Sequence, residues 1–446
     1  MTRRKILILT GLIVGLAALV ITYFPMLSIA TGYTAKKVCT CTFLSKRDKQ
    51  EIVRNDLYFS ILSNVDVDID IPKNIVTTSI FGLAPQTAVF RKGIGCILLD
   101  GADDYHVKFN ANELLDAKVD TLFEQQYITA GTDQNKLQQA IDHAFDPDNQ
   151  LIEKRTTAVL VIHKDTLIAE KYAPPFNAAM AQLGWSMTKS LMNAFAGILQ
   201  HQGQLKLDQN NLFKAWSNDE RRDISMKNLL QMNSGLEWEE DYTTSSDATQ
   251  MLYNAEDVSA IPIGKKINTK RGESWYYSSG TSNILSKYYR NILGDSIYQT
   301  FLNTHLFAPL GMNSALIETD ETGTFIGSSY GYATPRDWAK FGLLYLHDGV
   351  WNGKRLLPEG WTTFTGSEAA GSGGKYGAHF WLNKNGVQYS DAPHDMLIAD
   401  GYQGQFVFVI PSHDAVIVRM GTGGSHFDVN AFLKEVLASL PKKVIQ

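Results

Sequence analysis

Cysteine is nearly absent. Among 446 residues only Cys39, Cys41 and Cys96 occur, all in the first hundred positions, and none stands with histidine at a metal-ligand spacing. No metal and no cofactor are therefore expected. A basic block is missing too: 41 Lys and Arg against 46 Asp and Glu leave a formal charge of −5, which argues against a nucleic-acid partner. Lys36-Lys37, not small residues, precede Val38-Cys39, so a lipid-attached cysteine is not expected. What remains is an ordinary globular composition, 44% hydrophobic and 20% charged, with room for one large or two modest domains.

The N-terminus departs from that average. Arg3-Arg4-Lys5 precede an unbroken apolar run from Ile6 to Phe24, just long enough to cross a bilayer as a helix. Secretory signals have shorter apolar cores and a small-x-small cleavage site, for which Ala30 and Ala35 serve poorly. The expectation is an uncleaved signal-anchor over residues 1–30, a single-pass transmembrane helix. Its basic flank stays in the cytoplasm, and everything after about residue 25 lies on the exported, periplasmic or extracellular side. An oxidising compartment would let Cys96 pair with Cys39 or Cys41. The latter two, read as part of an extended strand, are too close to pair with each other.

Residues 31–132 carry short strand-like runs, Ile75–Ile80, Thr87–Phe90 and Gly93–Leu99, and no catalytic constellation. They read as an N-terminal extension. From 133 to 446 a second domain begins with a helix at about Lys136–Phe145, stopped by Asp146-Pro147, and a hairpin of Ala158–His163 with Leu167–Tyr172. Helices are expected around Met226–Met232, Asp295–Leu306 and from Pro335 to Leu346, the last capped by Thr334. Strands Gln405–Ile410 and Ala415–Met420 and a helix at about Asp428–Leu440 close the chain. Strands at both ends with helices between predict one antiparallel sheet covered by the first and last helices. His163 reads as a strand-end residue.

The chemistry concentrates at Gly184-Trp185-Ser186-Met187-Thr188-Lys189, which opens an almost wholly apolar helix. Ser186 and Lys189 are one turn apart on one face. A lysine at the edge of an apolar core loses hydration, its neutral amine becomes accessible, and such an amine is the base a serine hydroxyl needs. The bland alternative is an N-capping serine beside a solvated lysine. Two further clusters stand at Trp275–Asn283 and Ala399–Gln405. Tyr277 in the first is placed to relay a proton. The glycines of the second allow close backbone approach, and an amide there would complete an oxyanion hole with that of Ser186.

In this order and spacing the three clusters resemble the serine β-lactamase and penicillin-binding superfamily, in its class C-like esterase and nylon-oligomer hydrolase-like branch, from about Lys136 to the C-terminus. Ser186-Met187-Thr188-Lys189 matches Ser-x-x-Lys, Tyr277-Ser278-Ser279 falls where the family has Tyr-x-Asn, and Ala399-Asp400-Gly401 where it has Lys-Thr-Gly or His-Ser-Gly. The resemblance implies an α/β (α+β) sandwich, an antiparallel sheet flanked by helices with an inserted helical subdomain. It implies Ser186 as nucleophile, Lys189 and Tyr277 as the acid/base pair, the amides of Ser186 and Tyr402 as oxyanion donors, and Gly401, Ser279 and Asp400 beside the substrate. Ser279 in place of an amide side chain and the lack of a base at Ala399 favour a carboxylesterase or amidase acting on a small ester or amide. The alternatives are a β-lactamase or D,D-peptidase, and a non-catalytic membrane-tethered sensor of the same fold. A rival motif, Gly327-Ser328-Ser329-Tyr330-Gly331, spells Gly-x-Ser-x-Gly but does not lead straight into a helix. An ionised Asp400 facing the cleft would repel anionic substrates, and the alternative is that it points away and caps the turn before Gly401.

Overall fold

The computed structural model describes residues 24–99, 123, 127–423 and 426–441. Residues 24–43 form helix α1, and Asp48 caps α2 (Lys49–Asp56) by accepting the Gln50 and Glu51 amides. A four-stranded antiparallel meander follows: β1 (Asp66–Asp70), β2 (Ile75–Ile80), β3 (Leu83–Arg91) and β4 (Gly95–Leu99). Cys39 of α1 is disulfide-bonded to Cys96 of β4, and Cys41 is a buried free thiol. The extended strand expected around Cys39 and Cys41 is thus helix instead. Successive apolar residues of residues 24–43 recur at helical spacing, with Ala35, Val38 and Cys39 fully buried. Most of the apolar run Ile6–Phe24 lies outside the described residues. Among the described residues, no helix is long and apolar enough to cross a membrane.

The second domain opens with α3 (Gln134–His143), β5 (Thr156–His163), β6 (Thr166–Tyr172), the short β7 (Gln182–Leu183) and α4 (Met187–His201). Helices α5 (Met226–Leu230), α6 (Asp247–Tyr253), α7 (Ala260–Gly264), α8 (Ser279–Leu293), α9 (Asp295–Leu302) and α10 (Ala308–Leu310) make the inserted helical part. Then come β8 (Leu316–Ile317), β9 (Gly331–Ala333), α11 (Pro335–Leu346), β10 (Val350–Trp351), β11 (Lys354–Arg355) and α12 (Trp361–Thr365). The chain ends on β12 (Trp381–Leu382), β13 (Leu397–Gly401), β14 (Gln405–Ile410), β15 (Ala415–Gly421) and α13 (Val429–Ala438).

The main sheet runs β12-β13-β14-β15-β5-β6, antiparallel throughout. Strands β5, β14 and β15 are buried along their whole length, because both faces are covered. Leu137 and Ile141 of α3 and Phe432 and Leu433 of α13 pack on Val159, Val161 and Ile417. On the other face α4 and α11 pack on Leu160, Val407 and Val416. The expected layering therefore holds, with α4 as the buried central helix. A smaller sheet, β7-β9-β8, feeds α4 and fixes where its first residue stands.

Candidate active site

The nucleophile candidate is set by its approach. β7 ends at Leu183, and the Gly184 amide binds the Gly331 carbonyl of β9 at 2.8 Å. A Cβ on Gly184 would lie 2.4 Å from the Trp338 ring, so only glycine passes here. Trp185 then takes φ +48°, a left-handed conformation that a bulky residue holds only when its surroundings impose it. Ser186 follows at the N-cap position of α4, yet its hydroxyl makes no capping bond. It faces Lys189 instead, whose Nζ stands 3.0 Å from Ser186 Oγ.

Lys189 is 1% exposed. Burial lowers its pKa to about 8, with the negative charge of Glu240 opposing the shift. Its Nζ also reaches Ser279 Oγ at 3.0 Å and the Ser328 carbonyl at 2.8 Å, and lies 4.8 Å from the centre of the Tyr277 ring. Three acceptors saturate an ammonium. On losing a proton the amine gains a lone pair, and the Ser186 hydroxyl is the one that can donate to it with a gain in nucleophilicity. The Tyr277 hydroxyl hydrogen-bonds the Ser186 side chain, and burial, with Glu240 adding to it, raises its pKa well above the ordinary phenol value. Tyr277 therefore keeps its proton and can pass it on. Its ring stacks on Trp381 at 5.3 Å and meets Tyr376 edge-on at 5.9 Å.

Ser279 begins α8, where unpaired amides attract an anion. The Glu240 carboxylate occupies that position: Oε2 accepts the Ser279 amide at 2.8 Å and Oε1 the Ser279 hydroxyl at 2.5 Å. Tyr242 donates to Oε1 at 2.8 Å and Trp238 Nε1 to Oε2. Sequence reasoning missed Glu240 and Tyr242. The only signal was the mixed run Trp238-Glu239-Glu240-Asp241-Tyr242, which has no spacing tied to the other motifs.

Gly401 and Tyr402 come to the same place from the sheet. A Cβ on Gly401 would sit 2.0 Å from the Gly184 carbonyl oxygen, so β13 passes against the turn before Ser186 with no room for a side chain. Tyr402 meets Trp185 edge-on at 5.8 Å and is 58% exposed. Strand alternation puts Asp400 on the sheet face of Ile398, Phe406 and Trp381, opposite Ala399, which packs on the α4 side. Burial raises its pKa to about 7. Its ionised form acts on Tyr277, whose ring stacks on Trp381 of the same face.

The rival serines are closed off. Ser328 and Ser329 are 0% and 3% exposed and bonded to each other at 2.8 Å, and the segment serves Lys189 through a carbonyl. His163 is a buried strand-end residue bonded to Thr129.

Residues 142–437 match the protein family described as Beta-lactamase. The 6-aminohexanoate-dimer hydrolase of Paenarthrobacter ureafaciens is 24% identical over 302 residues, 62% of this chain and 75% of that protein. Among solved structures, a family VIII carboxylesterase is similar with a TM-score of 0.56 at 12% identity, over 71% of this chain and 99% of that one. A class C beta-lactamase in complex with cefoxitin is similar with a TM-score of 0.53 at 14% identity, over 69% of this chain and 100% of that one.

Proposed function

Because the chain belongs to the β-lactamase family, we propose that it is a serine hydrolase that cleaves a small ester or amide through an acyl-enzyme. The observation that carries this reading is the buried Lys189 amine 3.0 Å from Ser186 Oγ, with its pKa lowered to about 8. In the neutral state Lys189 takes the Ser186 proton as Oγ bonds to the substrate carbonyl carbon. The carbonyl electrons move to oxygen, where the amides of Ser186 and Tyr402 receive the charge. Tyr277 gives its proton to the departing alcohol or amine and is reprotonated from Lys189. Water then attacks the acyl group by the same path reversed, returning the proton to Ser186.

The substrate class follows from charge. Ala399 supplies no cation where the family's anionic ligands find one, and the acidic group nearest Lys189 is Glu240. Neutral esters and linear amides suit this cleft, and the aminohexanoate-dimer hydrolase and carboxylesterase relatives support that choice. Export and anchoring belong to the same proposal. They rest on the apolar run Ile6–Phe24 behind Arg3-Arg4-Lys5 and are supported by the Cys39–Cys96 disulfide, which suits an oxidising compartment.

The test is covalent labelling of the full chain with a fluorophosphonate, together with hydrolysis of p-nitrophenyl butyrate. Ser186→Ala should abolish both, and Lys189→Ala should lower turnover about 10²–10⁴-fold with the fold retained. Full activity in Ser186→Ala would overturn the assignment, and Ser329→Ala would be the next variant.

A further inference from the structure

The family match begins at residue 142, so helix α1 lies outside it. Yet α1 rests directly on the residue before the nucleophile. The Tyr33 ring stacks on Trp185 at 5.9 Å with an interplanar angle of 12°, and Lys37 Nζ lies 5.9 Å from the centre of the same indole. Tyr330 and Tyr402 meet Trp185 from other sides at 5.7 and 5.8 Å, and Trp185 Nε1 donates to Gln403 Oε1 at 3.3 Å. The indole is thus held between the segment entering β9, the turn after β13 and the extension. A non-glycine residue at φ +48° needs such holding, because nothing intrinsic to tryptophan favours it.

The extension is pinned where it bears on this turn. Glu318, which follows β8 and is fully buried, pairs with Lys36 of α1 at 2.9 Å and accepts from the Thr40 hydroxyl and from the Cys96 amide of β4 at 2.7 Å. The Cys39–Cys96 disulfide closes the same corner. β8 pairs with β9, β9 pairs with β7, and β7 leads through Gly184 to Trp185. Just before β7, the Ala181 carbonyl accepts the Ser45 hydroxyl at 2.7 Å. So α1 and the turn after it are fastened to both ends of the small sheet that leads to Ser186.

We propose that Tyr33 is a positioning residue of the active site: by stacking on Trp185, the N-terminal extension holds the left-handed turn that aims Ser186 at the carbonyl carbon. This inference rests on Ser186 being the nucleophile. The Tyr33 hydroxyl has no hydrogen-bond partner among the described residues, so the ring is the working part.

The experiment uses the full chain and three variants. Tyr33→Phe keeps the ring and should match the wild type. Tyr33→Leu fills the space without a flat face and should lower kcat for p-nitrophenyl butyrate about tenfold with KM little changed, since a small misplacement of a reacting atom has costs of that order. Tyr33→Ala should do so more strongly. Hydrogen exchange of the peptide over residues 182–192, read by mass spectrometry, should quicken in Leu and Ala but not in Phe. Wild-type kcat and exchange in a folded Tyr33→Leu would overturn the proposal, as would an equal loss in Phe. If the wild type neither hydrolyses the ester nor takes the fluorophosphonate, the hydrolase reading fails. The exchange of residues 182–192 still decides whether Tyr33 braces the turn.

Discussion

In the proposed mechanism Lys189 carries the pH dependence: its neutral form is the base, and burial lowers its pKa to about 8. In the free enzyme, kcat/KM for a neutral ester, corrected for spontaneous hydrolysis, should therefore rise about tenfold per pH unit below 8 and level off above it. Tyr277, whose pKa is raised well above the phenol value, introduces no alkaline fall near pH 9. A flat profile between pH 6 and 9 would remove Lys189 as the base. Asp400 makes the opposite kind of prediction, about stability. Its folded pKa of about 7 stands above the unfolded carboxylate value, so the folded state binds the proton more tightly. The contribution is present below about pH 4 and is lost as pH rises toward 7, beyond which a partly exposed, and so partly screened, charge remains. Asp400→Asn should equal the wild type in urea melts at pH 4 and exceed it by about 1–2 kcal/mol at pH 8. Equal stability of the two at pH 8 would show that the carboxyl is well solvated.

At the scale of elements, the joint between α1 and β4 invites a direct measurement. Cys39 and Cys96 are 57 residues apart, and closing a loop of that size restricts the unfolded chain by about 2–4 kcal/mol. Alkylation of the denatured, unreduced chain should label one thiol, Cys41. Cys39→Ser should lower the melting temperature by several degrees. Three labelled thiols would refute the bond and leave the site's geometry untouched. The elements also show where local pattern sufficed. Apolar runs at Thr156–His163, Gln405–Ile410 and Ala415–Gly421 are long and bounded by turn residues, so their strands were legible. Thr334 caps α11 through the Asp337 amide, as its Thr-Pro-x-Asp start announces. Residues 24–43 were not legible as they stand. Their polar side chains, Thr31, Thr34, Lys36 and Thr40, are buried against partners distant in sequence, such as Ala84 and Glu318.

Across the whole molecule, local order along the chain brought the proposed nucleophile and base together, because Ser186 and Lys189 are one helical turn apart and need no tertiary contact to meet. It also determined the antiparallel sheet and its two covered faces, since hydrophobic periodicity is a local property. Tertiary structure alone decided the rest of the site. Glu240 reaches Ser279 from 39 positions away and Tyr277 finds Trp381 across the fold. Asp400 shares a face with Phe406 and Trp381 because a strand's register is settled by its neighbours and not by its own residues. The extension buries most of α1 against its own strands, while Ile29 and Tyr33 join the cluster around Trp185, a contact between residues more than 150 positions apart.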